Sequence, residues 1–175
     1  LKYQRVENLP FDVACFLNIG RDHISPIEHP TFEDYFESKL RIFDQAKTAV
    51  VNLGTDEVER VLEAASTAEH LVTVGVEHPE ASLWASDVRM VGFNIEFNLH
   101  GLSADEPEAG EKVLLGIAGD FNVENALVAI AAAREIGIGV DAIKKGLSKL
   151  RVPGRMEVVE SKDGRVICVV DYAHN

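Results

Sequence analysis

The sequence has few cysteines and no long apolar run. Its two cysteines, Cys15 and Cys168, are not in C-x-x-C spacing, which argues against a disulfide framework or a cysteine-ligated metal site. Each lies in an apolar run, so we expect both thiols to be buried in core strands. No apolar stretch approaches the roughly 20 residues of a membrane-spanning helix, and the polar residues 1–10 do not resemble a signal peptide. These absences favour a soluble, cytoplasmic protein.

Basic residues are scarce relative to acidic ones. The chain has 17 Lys and Arg against 29 Asp and Glu, a formal net charge of −12. General binding of nucleic acid or of an anionic membrane requires basic surface, so we exclude both classes. Nucleotide binding requires only a few local donors and a metal ion, and it stays open. With 46% hydrophobic and 26% charged residues, the composition is that of an ordinary globular protein.

Predicted strands and helices alternate along most of the chain. Strands are predicted at 12–19, 48–53, 70–75, 156–161 and 166–171, and helices at 31–44, 56–66, 121–137 and 141–150. Thr31, Thr55 and Asp141 stand at helix starts and are predicted N-caps, with Asp34 completing a capping box after Thr31. This alternation predicts an α/β fold with a mostly parallel sheet flanked by helices.

The pattern changes between residues 83 and 118. Apolar residues alternate with polar ones from Val91 to Leu99, which is typical of a strand with one packed face and one solvated face. An acidic loop at 103–111 separates this strand from a second one at 113–117. We therefore predict a small antiparallel subdomain at 83–118, appended to the parallel sheet within a single domain spanning residues 1–175.

Polar clusters follow two of the predicted strands. In open parallel sheets, ligands bind beyond the carboxyl ends of the strands. His23 is a candidate metal ligand or phosphate contact, with a helix cap or loop hydrogen bond as the alternative. Asp171 is a candidate for ribose or metal binding, with a simple turn as the alternative. The two clusters consist of Asn18, Arg21, Asp22 and His23, and of Asp171, Tyr172 and His174.

Lys39 occupies an unusual position in the helix predicted at 31–44. It lies on the same helix face as Phe32, Tyr35, Phe36 and Phe43. Its side chain must either extend to the edge of that face or be partly desolvated. A desolvated, neutral lysine amine can react with carbon dioxide to form a carbamate. The carbamate oxygens are then ligands suited to a hard metal such as Mg²⁺.

Two asparagines and one arginine complete the candidates. Asn122 and Asn125 are three residues apart at a predicted helix start, so their side chains point the same way. Side-chain amides offer the donor and the acceptor that recognise adenine; the alternative is that one of them is an N-cap. Arg155 follows a Pro153-Gly154 turn, where a guanidinium is suited to contact phosphate, although a surface arginine is the commoner outcome.

In their order, four segments resemble the Mur ligase superfamily, and within it the UDP-N-acetylmuramoyl-tripeptide synthetase type. The resemblance covers essentially the whole chain, because the motifs begin at residue 17 and end at residue 175. The segments are LNIGRDHISPIEHPTFEDYFESKLRIF at 17–43, GDFNVENALVAIAAAREIGI at 119–138, VPGRMEVV at 152–159 and VVDYAHN at 169–175.

The resemblance implies a reaction and a set of roles. Such enzymes use ATP to phosphorylate a carboxylate of a UDP-N-acetylmuramoyl-peptide, which gives an acyl phosphate and ADP. The amino group of an incoming amino acid then attacks the acyl phosphate to form an amide and releases phosphate. The matching positions imply that His23 ligates Mg²⁺ and that Lys39 is carbamylated and supports the same ion. They also place Asn122 and Asn125 near adenine, Arg155 at the ATP phosphates and Asp171 at the ribose. The family's functions in peptidoglycan synthesis, cell shape and cell division follow as expectations.

The sequence also departs from the family pattern. Residues 24–30, ISPIEHP, differ from the usual stretch after the histidine. Asn175 stands where Thr is common in this family type, and in this it resembles folylpolyglutamate and cyanophycin synthetases. The chain contains no G-x-x-x-x-G-K-[ST] motif. We therefore expect a phosphate-binding segment before Leu1, a third domain after Asn175, and no activity from the 175 residues alone. The alternatives are a folylpolyglutamate or cyanophycin synthetase relative, or a catalytically silent binding module of the same fold.

Overall fold

The computed structural model describes residues 6, 8–20, 24, 29–102 and 110–172. Four helices are present in this part of the chain, together with a short 3-10 helix at Phe43–Gln45. The helices are α1 (Phe32–Leu40), α2 (Val58–Ala65), α3 (Phe121–Glu135) and α4 (Val140–Ser148). The strands are β1 (Phe11–Phe16), β2 (Ala46–Asn52), β3 (His70–Val76), β4 (Leu83–Val91), β5 (Asn94–His100), β6 (Glu111–Leu115), β7 (Glu157–Glu160) and β8 (Ile167–Val170).

Six strands form one sheet in the order β1-β2-β3-β4-β5-β6. Pairing is parallel from β1 to β4 and antiparallel from β4 to β6. The predicted fold class, a mostly parallel sheet flanked by helices with an antiparallel extension, is confirmed. The extension is continuous with the parallel part, because β4 pairs with β3 on one side and with β5 on the other.

Helices cover both faces of the parallel strands. Alternate residues of β2 enter different cores: Val50 packs with β3 to β6 and α3, and Ala49 and Val51 pack with α1 and α2. All three side chains are fully buried. This two-sided burial is the reason why residues 49–51 are consecutively apolar rather than alternating. It also fixes α1 and α3 on opposite faces of the sheet, with the polar loops at its edge.

The helix boundaries differ in places from the prediction. The Thr31 cap is confirmed, since its hydroxyl accepts a hydrogen bond from the Asp34 amide at 3.1 Å. The helix predicted at 31–44 ends at Leu40, because the chain turns and must begin β2 at Ala46. A single turn of 3-10 helix fills the remaining residues and buries Phe43.

Two predicted N-caps are wrong. Glu57, in the left-handed region at φ 56°, precedes α2, whereas the buried Thr55 hydroxyl has no partner among the described residues. Gly139 precedes α4, so Asp141 lies inside the first turn and interacts with the positive end of the helix rather than capping it. In both cases the helix begins two residues or fewer from the predicted start.

The predicted antiparallel subdomain contains three strands in place of two. The alternating pattern runs across a turn at 92–93, where Gly92 has φ +64°. Val91 and Phe93 are exposed beside this turn, and the buried residues Ile95 and Phe97 belong to the next strand. Periodicity alone hid the turn, because both strands continue the same alternation. Most of the acidic loop, residues 103–109, lies outside the described residues.

The last two strands form a separate hairpin. β7 and β8 pair only with each other in the described part of the chain, so the end of β8 is not a carboxyl end of the main sheet, contrary to the prediction.

The two cysteines differ in burial. The predicted burial of Cys168 is wrong, because β8 belongs to this separate hairpin and all of its residues, 167–170, are exposed in the described structure. Cys15 is half-buried in β1, and burial raises the pKa of its thiol. No helix within the described ranges has the length and apolarity to cross a membrane.

Candidate nucleotide and metal site

Lys39 lies in the last turn of α1 and faces the end of β1. The neighbouring Tyr35, Phe36 and Leu40 anchor the helix in the core, whereas Lys39 is half-buried. Its side chain lines a cavity of about 330 Å³ with residues 15–18 and Ile42. The Lys39 residue is therefore neither buried in the core nor fully solvated. It stands at the carboxyl edge of the sheet, where the sequence placed a ligand site.

His23 lies outside the described residues, and so do Arg21, Asp22 and His174. The predicted convergence of His23 and Lys39 on one metal ion therefore stays a prediction. Asn18, the first residue of the same polar cluster, is described and lines the Lys39 cavity.

The described residues do not form a metal site by themselves. No three His, Cys, Asp or Glu side chains come together in these ranges in a way that would hold a metal ion. The cationic amine of Lys39 repels a metal, whereas carbamate oxygens are ligands of the kind that Mg²⁺ takes. Residues of this part of the chain fit the ion only if Lys39 is carbamylated and a ligand from outside the described ranges is added.

Helix α3 crosses β2 in the antiparallel direction. Near the start of β2, the Thr48 hydroxyl donates to the Glu135 carboxylate at 3.2 Å. At its end, the Asn52 amide donates to the Glu124 carboxylate at 3.0 Å. These two contacts place the N-terminus of α3 at the carboxyl edge of the sheet.

Asn122 and Asn125 lie together in the first turns of α3. The Asn125 amide donates to the Asn122 side-chain oxygen at 3.3 Å, and the Asn122 amide donates to the Ala118 carbonyl at 2.7 Å. The residue that precedes the helix is Asp120, so neither asparagine is an N-cap, and that alternative is wrong. Asn125 is exposed and Asn122 half-buried, which leaves the pair accessible to a ligand at the sheet edge.

The β7–β8 hairpin brings Arg155 and Asp171 to one end. The Asp171 carboxylate accepts a hydrogen bond from the Met156 amide at 3.1 Å. The Arg155 guanidinium lies 5.0 Å from the centroid of the Tyr172 ring and donates to the Tyr172 carbonyl at 3.4 Å. Arg155 also lines a cavity of about 400 Å³ with Gly116 and Ile117, directly after β6. Arg155 and Asp171 are thus brought together, and Arg155 stands beside the loop that leads to α3.

Sequence reasoning missed two polar residues at this edge, Asn52 and Glu124. Asn52 ends β2 and is 1% exposed, yet it is a polar residue directly after the apolar run at 49–51. Glu124 lies between the two candidate asparagines. A polar residue at the carboxyl end of a buried strand was the available signal for Asn52. Its pairing with Glu124 joins residues that are 72 positions apart, and local patterns do not reveal such a contact.

Comparison with known proteins identifies the family. Residues 1–133 match the family model described as the Mur ligase middle domain. The chain therefore belongs to the Mur ligase family, as its four motifs indicated. This membership agrees with the fold, in which a parallel sheet continues into a small antiparallel extension.

Two curated relatives and one solved structure illustrate the similarity. The chain is 40% identical over 172 residues to a UDP-N-acetylmuramoyl-L-alanyl-D-glutamate–L-lysine ligase of Streptococcus sanguinis, covering 98% of this chain and 33% of that protein. It is 38% identical over 184 residues to a UDP-N-acetylmuramyl-tripeptide synthetase of Bifidobacterium longum, covering 99% and 34%. The structure of a UDP-N-acetylmuramoyl-L-alanyl-D-glutamate–2,6-diaminopimelate ligase superposes with a TM-score of 0.82 at 28% identity, covering 99% and 35%. The chain thus spans about a third of the length of these relatives.

Proposed function

We propose that this chain is the nucleotide-binding central part of an ATP-dependent amide ligase that adds an amino acid to a UDP-N-acetylmuramoyl-peptide. The observation that carries the proposal is the shared position of Lys39 and of the Asn122–Asn125 pair at the carboxyl edge of one sheet. The names of the relatives, which are ligases of UDP-N-acetylmuramoyl-peptides, support the substrate class.

Each candidate residue has a role that its chemistry supports. The paired amides of Asn122 and Asn125 offer a donor and an acceptor to the edge of adenine. The Arg155 guanidinium, held over the Tyr172 ring, offers a planar set of donors to phosphate oxygens. Asp171, fixed by the Met156 amide, accepts hydrogen bonds from ribose hydroxyls. In this arrangement catalysis depends on positioning and on neutralisation of phosphoryl charge.

Lys39 and His23 form the proposed metal pair. A bound Mg²⁺ would supply Lewis-acid stabilisation of the charge on the phosphoryl oxygens. Lys39 is half-buried and lines a cavity that gives room for the three additional atoms of a carbamate. Carbamylation would convert Lys39 from a cation into an anionic oxygen ligand, and His23 would contribute the neutral nitrogen.

We also propose that the 175 residues are one section of a longer polypeptide. The length of the relatives supports this, and so does the absence of a phosphate-loop motif from this sequence. The β7–β8 hairpin presents apolar side chains on its surface, including Val166 at 56% and Val169 at 50% exposure. An isolated two-stranded hairpin is marginally stable in water. A following domain that covers these side chains would stabilise it.

Ligase activity of the full-length protein tests the proposal. The protein would be incubated with ATP, Mg²⁺, a UDP-N-acetylmuramoyl-dipeptide and either lysine or diaminopimelate, and ADP and the tripeptide product would be quantified. We expect turnover with one of the amino acids and none with the 175-residue chain alone. Extension of a folylpolyglutamate or cyanophycin substrate in place of the UDP-linked peptide would contradict the proposal. ATP binding without turnover of any substrate would favour the silent module.

A further inference from the structure

The buried side chain of Asn52 connects three segments at the carboxyl edge of the sheet. Its amide nitrogen donates to the Leu17 carbonyl at 3.1 Å and to the Glu124 carboxylate at 3.0 Å. Its amide oxygen accepts a hydrogen bond from the Gly54 backbone at 3.1 Å. Both amide protons and the oxygen are thus used in a side chain that is 1% exposed. Such a fully satisfied polar group fixes the relative positions of its partners.

Gly54 allows the Glu124 carboxylate to approach this loop closely. A Cβ atom at Gly54 would lie 2.6 Å from one carboxylate oxygen of Glu124 and 3.5 Å from the Asn52 amide nitrogen. Any larger residue would displace Glu124. The loop after β2 therefore has room for a carboxylate from α3, and the Asn52 amide binds that carboxylate.

The partners of Asn52 lie next to the two halves of the proposed site. Leu17 directly precedes Asn18, and both line the Lys39 cavity. Glu124 lies in the same helical turn as Asn122 and Asn125, so any movement of Glu124 along the helix axis moves both amides.

We propose that Asn52 and Glu124 are positioning residues, which hold the Asn122–Asn125 pair at a fixed distance from the Lys39 cavity and so align the adenine and the phosphates of one nucleotide. This inference rests on the proposed function. It adds that the affinity for ATP depends on a contact between β2 and α3 which itself does not touch the nucleotide. Misplacement of reacting groups by about 1 Å can reduce a rate by about 100-fold.

Asn52→Asp in the full-length protein tests the contact. The substitution preserves size but replaces the amide donor by a carboxylate, which repels Glu124 and the Leu17 carbonyl. We expect the KM for ATP to rise at least about tenfold, which corresponds to about 1.4 kcal/mol. The KM for the incoming amino acid should stay within about twofold, because we expect that substrate to bind to a domain outside these 175 residues.

The double variant Asn52→Asp, Glu124→Gln distinguishes positioning from a general structural defect. The glutamine amide introduced on α3 can donate to the carboxylate introduced at the end of β2, which restores a hydrogen bond of reversed polarity between the two elements. The contact to Leu17 is lost in both variants, so the difference between them reports the contact between β2 and α3 alone. We expect the double variant to recover most of the affinity for ATP relative to Asn52→Asp.

Asn98→Asp is the matched control. The Asn98 amide donates to the Asp87 carboxylate at 2.7 Å, so the substitution creates the same carboxylate pair on the exposed antiparallel extension. We expect no change in the KM for ATP. If Asn52→Asp does not fold, as judged by its thermal unfolding, Glu124→Ala at the half-buried helix position must give the same rise.

The outcomes separate this inference from the proposed function. A wild-type protein that turns over ATP, with Asn52→Asp within about twofold of it in KM for ATP, would overturn the positioning role alone. A double variant no better than Asn52→Asp would overturn it as well. A wild-type protein that does not bind ATP, measured by calorimetry with a non-hydrolysable analogue, would overturn both proposals.

Discussion

The ammonium of Lys39 lies 4.9 Å from the centroid of the Tyr35 ring, one helical turn earlier in α1. An aromatic face stabilises a nearby cation by about 0.5–1 kcal/mol at an exposed site. A carbamate on Lys39 would instead bring a negative charge beside the negative face of the ring. It therefore requires a stabilising partner, and a metal ion held with His23 is the partner that we propose.

Replacement of Tyr35 by Leu should increase the carbamylated fraction of Lys39. The change keeps apolar bulk but removes the ring contact, which favours a cationic side chain over an anionic carbamate, and the loss of this contact is worth roughly a two- to fivefold change in the carbamylation equilibrium. The measurement is the intensity of the carbamate carbon signal by ¹³C NMR in labelled bicarbonate at fixed Mg²⁺. Tyr35→Phe retains the ring and is the control. Equal intensities in both variants and the wild type would show that the ring has no influence on the amine.

The core between the sheet and α1 should depend strongly on Phe36. Its side chain is fully buried, whereas Phe121 is 62% exposed at the start of α3. We expect Phe36→Ala to lower the free energy of unfolding by about 3–5 kcal/mol. Phe121→Ala should lower it by about 0.5 kcal/mol or less. Urea unfolding of the two variants provides the comparison, and similar losses in both would contradict the packing described for α1.

Two glycines with positive φ should respond differently to alanine. A Cβ at Gly101 would lie 2.1 Å from the Ser82 carbonyl oxygen, while a Cβ at Gly92 would meet no described atom within 4 Å. Gly92→Ala therefore has only the cost of the left-handed backbone, about 1–2 kcal/mol. Gly101→Ala must in addition displace the start of β4, which lowers the free energy of unfolding by about 1–3 kcal/mol more. Thermal unfolding of both variants tests this prediction. Gly101→Ala should unfold at the lower temperature, and a lower unfolding temperature for Gly92→Ala would contradict the close approach of Gly101 to Ser82.

The acid stability of the extension should depend on the ion pair between Glu96 and Arg89. The hydrogen bond from Arg89 lowers the pKa of Glu96 below its ordinary value of 4.5, and Lys112, at 3.4 Å, lowers it further. The resulting stabilisation is present above pH 4.5 and is lost as the pH falls through the lowered pKa. We expect Arg89→Gln to raise the pKa of Glu96 towards its ordinary value, so that less stabilisation is lost on acidification and the loss ends at a higher pH. A carboxyl titration by NMR tests this, and an unchanged pKa would contradict the assignment.

Local patterns predicted the elements that depend on local physics. The Thr31 cap, the Ala-rich α3 and the continuous apolar strands follow from hydrogen bonding and burial within a few residues, and the structure confirms them. The same reasoning placed Lys39 on the aromatic face of α1, where the structure has it beside the carboxyl end of β1. The spacing of Asn122 and Asn125 likewise predicted that their side chains point the same way, and the structure brings the two amides into contact.

Contacts between distant segments were not predictable in the same way. Asn52 and Glu124 are far apart in the sequence, and their hydrogen bond exists only because α3 packs across β2. The hairpin of β7 and β8 has the composition of core strands, so the sequence did not show that it forms a sheet of its own. Nor did periodicity reveal the turn at Gly92, since the alternation passes through it.

We propose that Lys39 acts as a metal-supporting group in an ATP-dependent ligase. The rate of ADP formation by the full-length Lys39→Met variant tests this role, because the variant keeps the packing of the side chain but has no amine to carbamylate. Lys47→Met is the control, because Lys47 is an exposed lysine paired with Asp12 at 2.8 Å. We expect kcat to fall by about 100-fold or more for Lys39→Met and to stay within about twofold for Lys47→Met. A Lys39→Met enzyme with the wild-type rate would contradict the account.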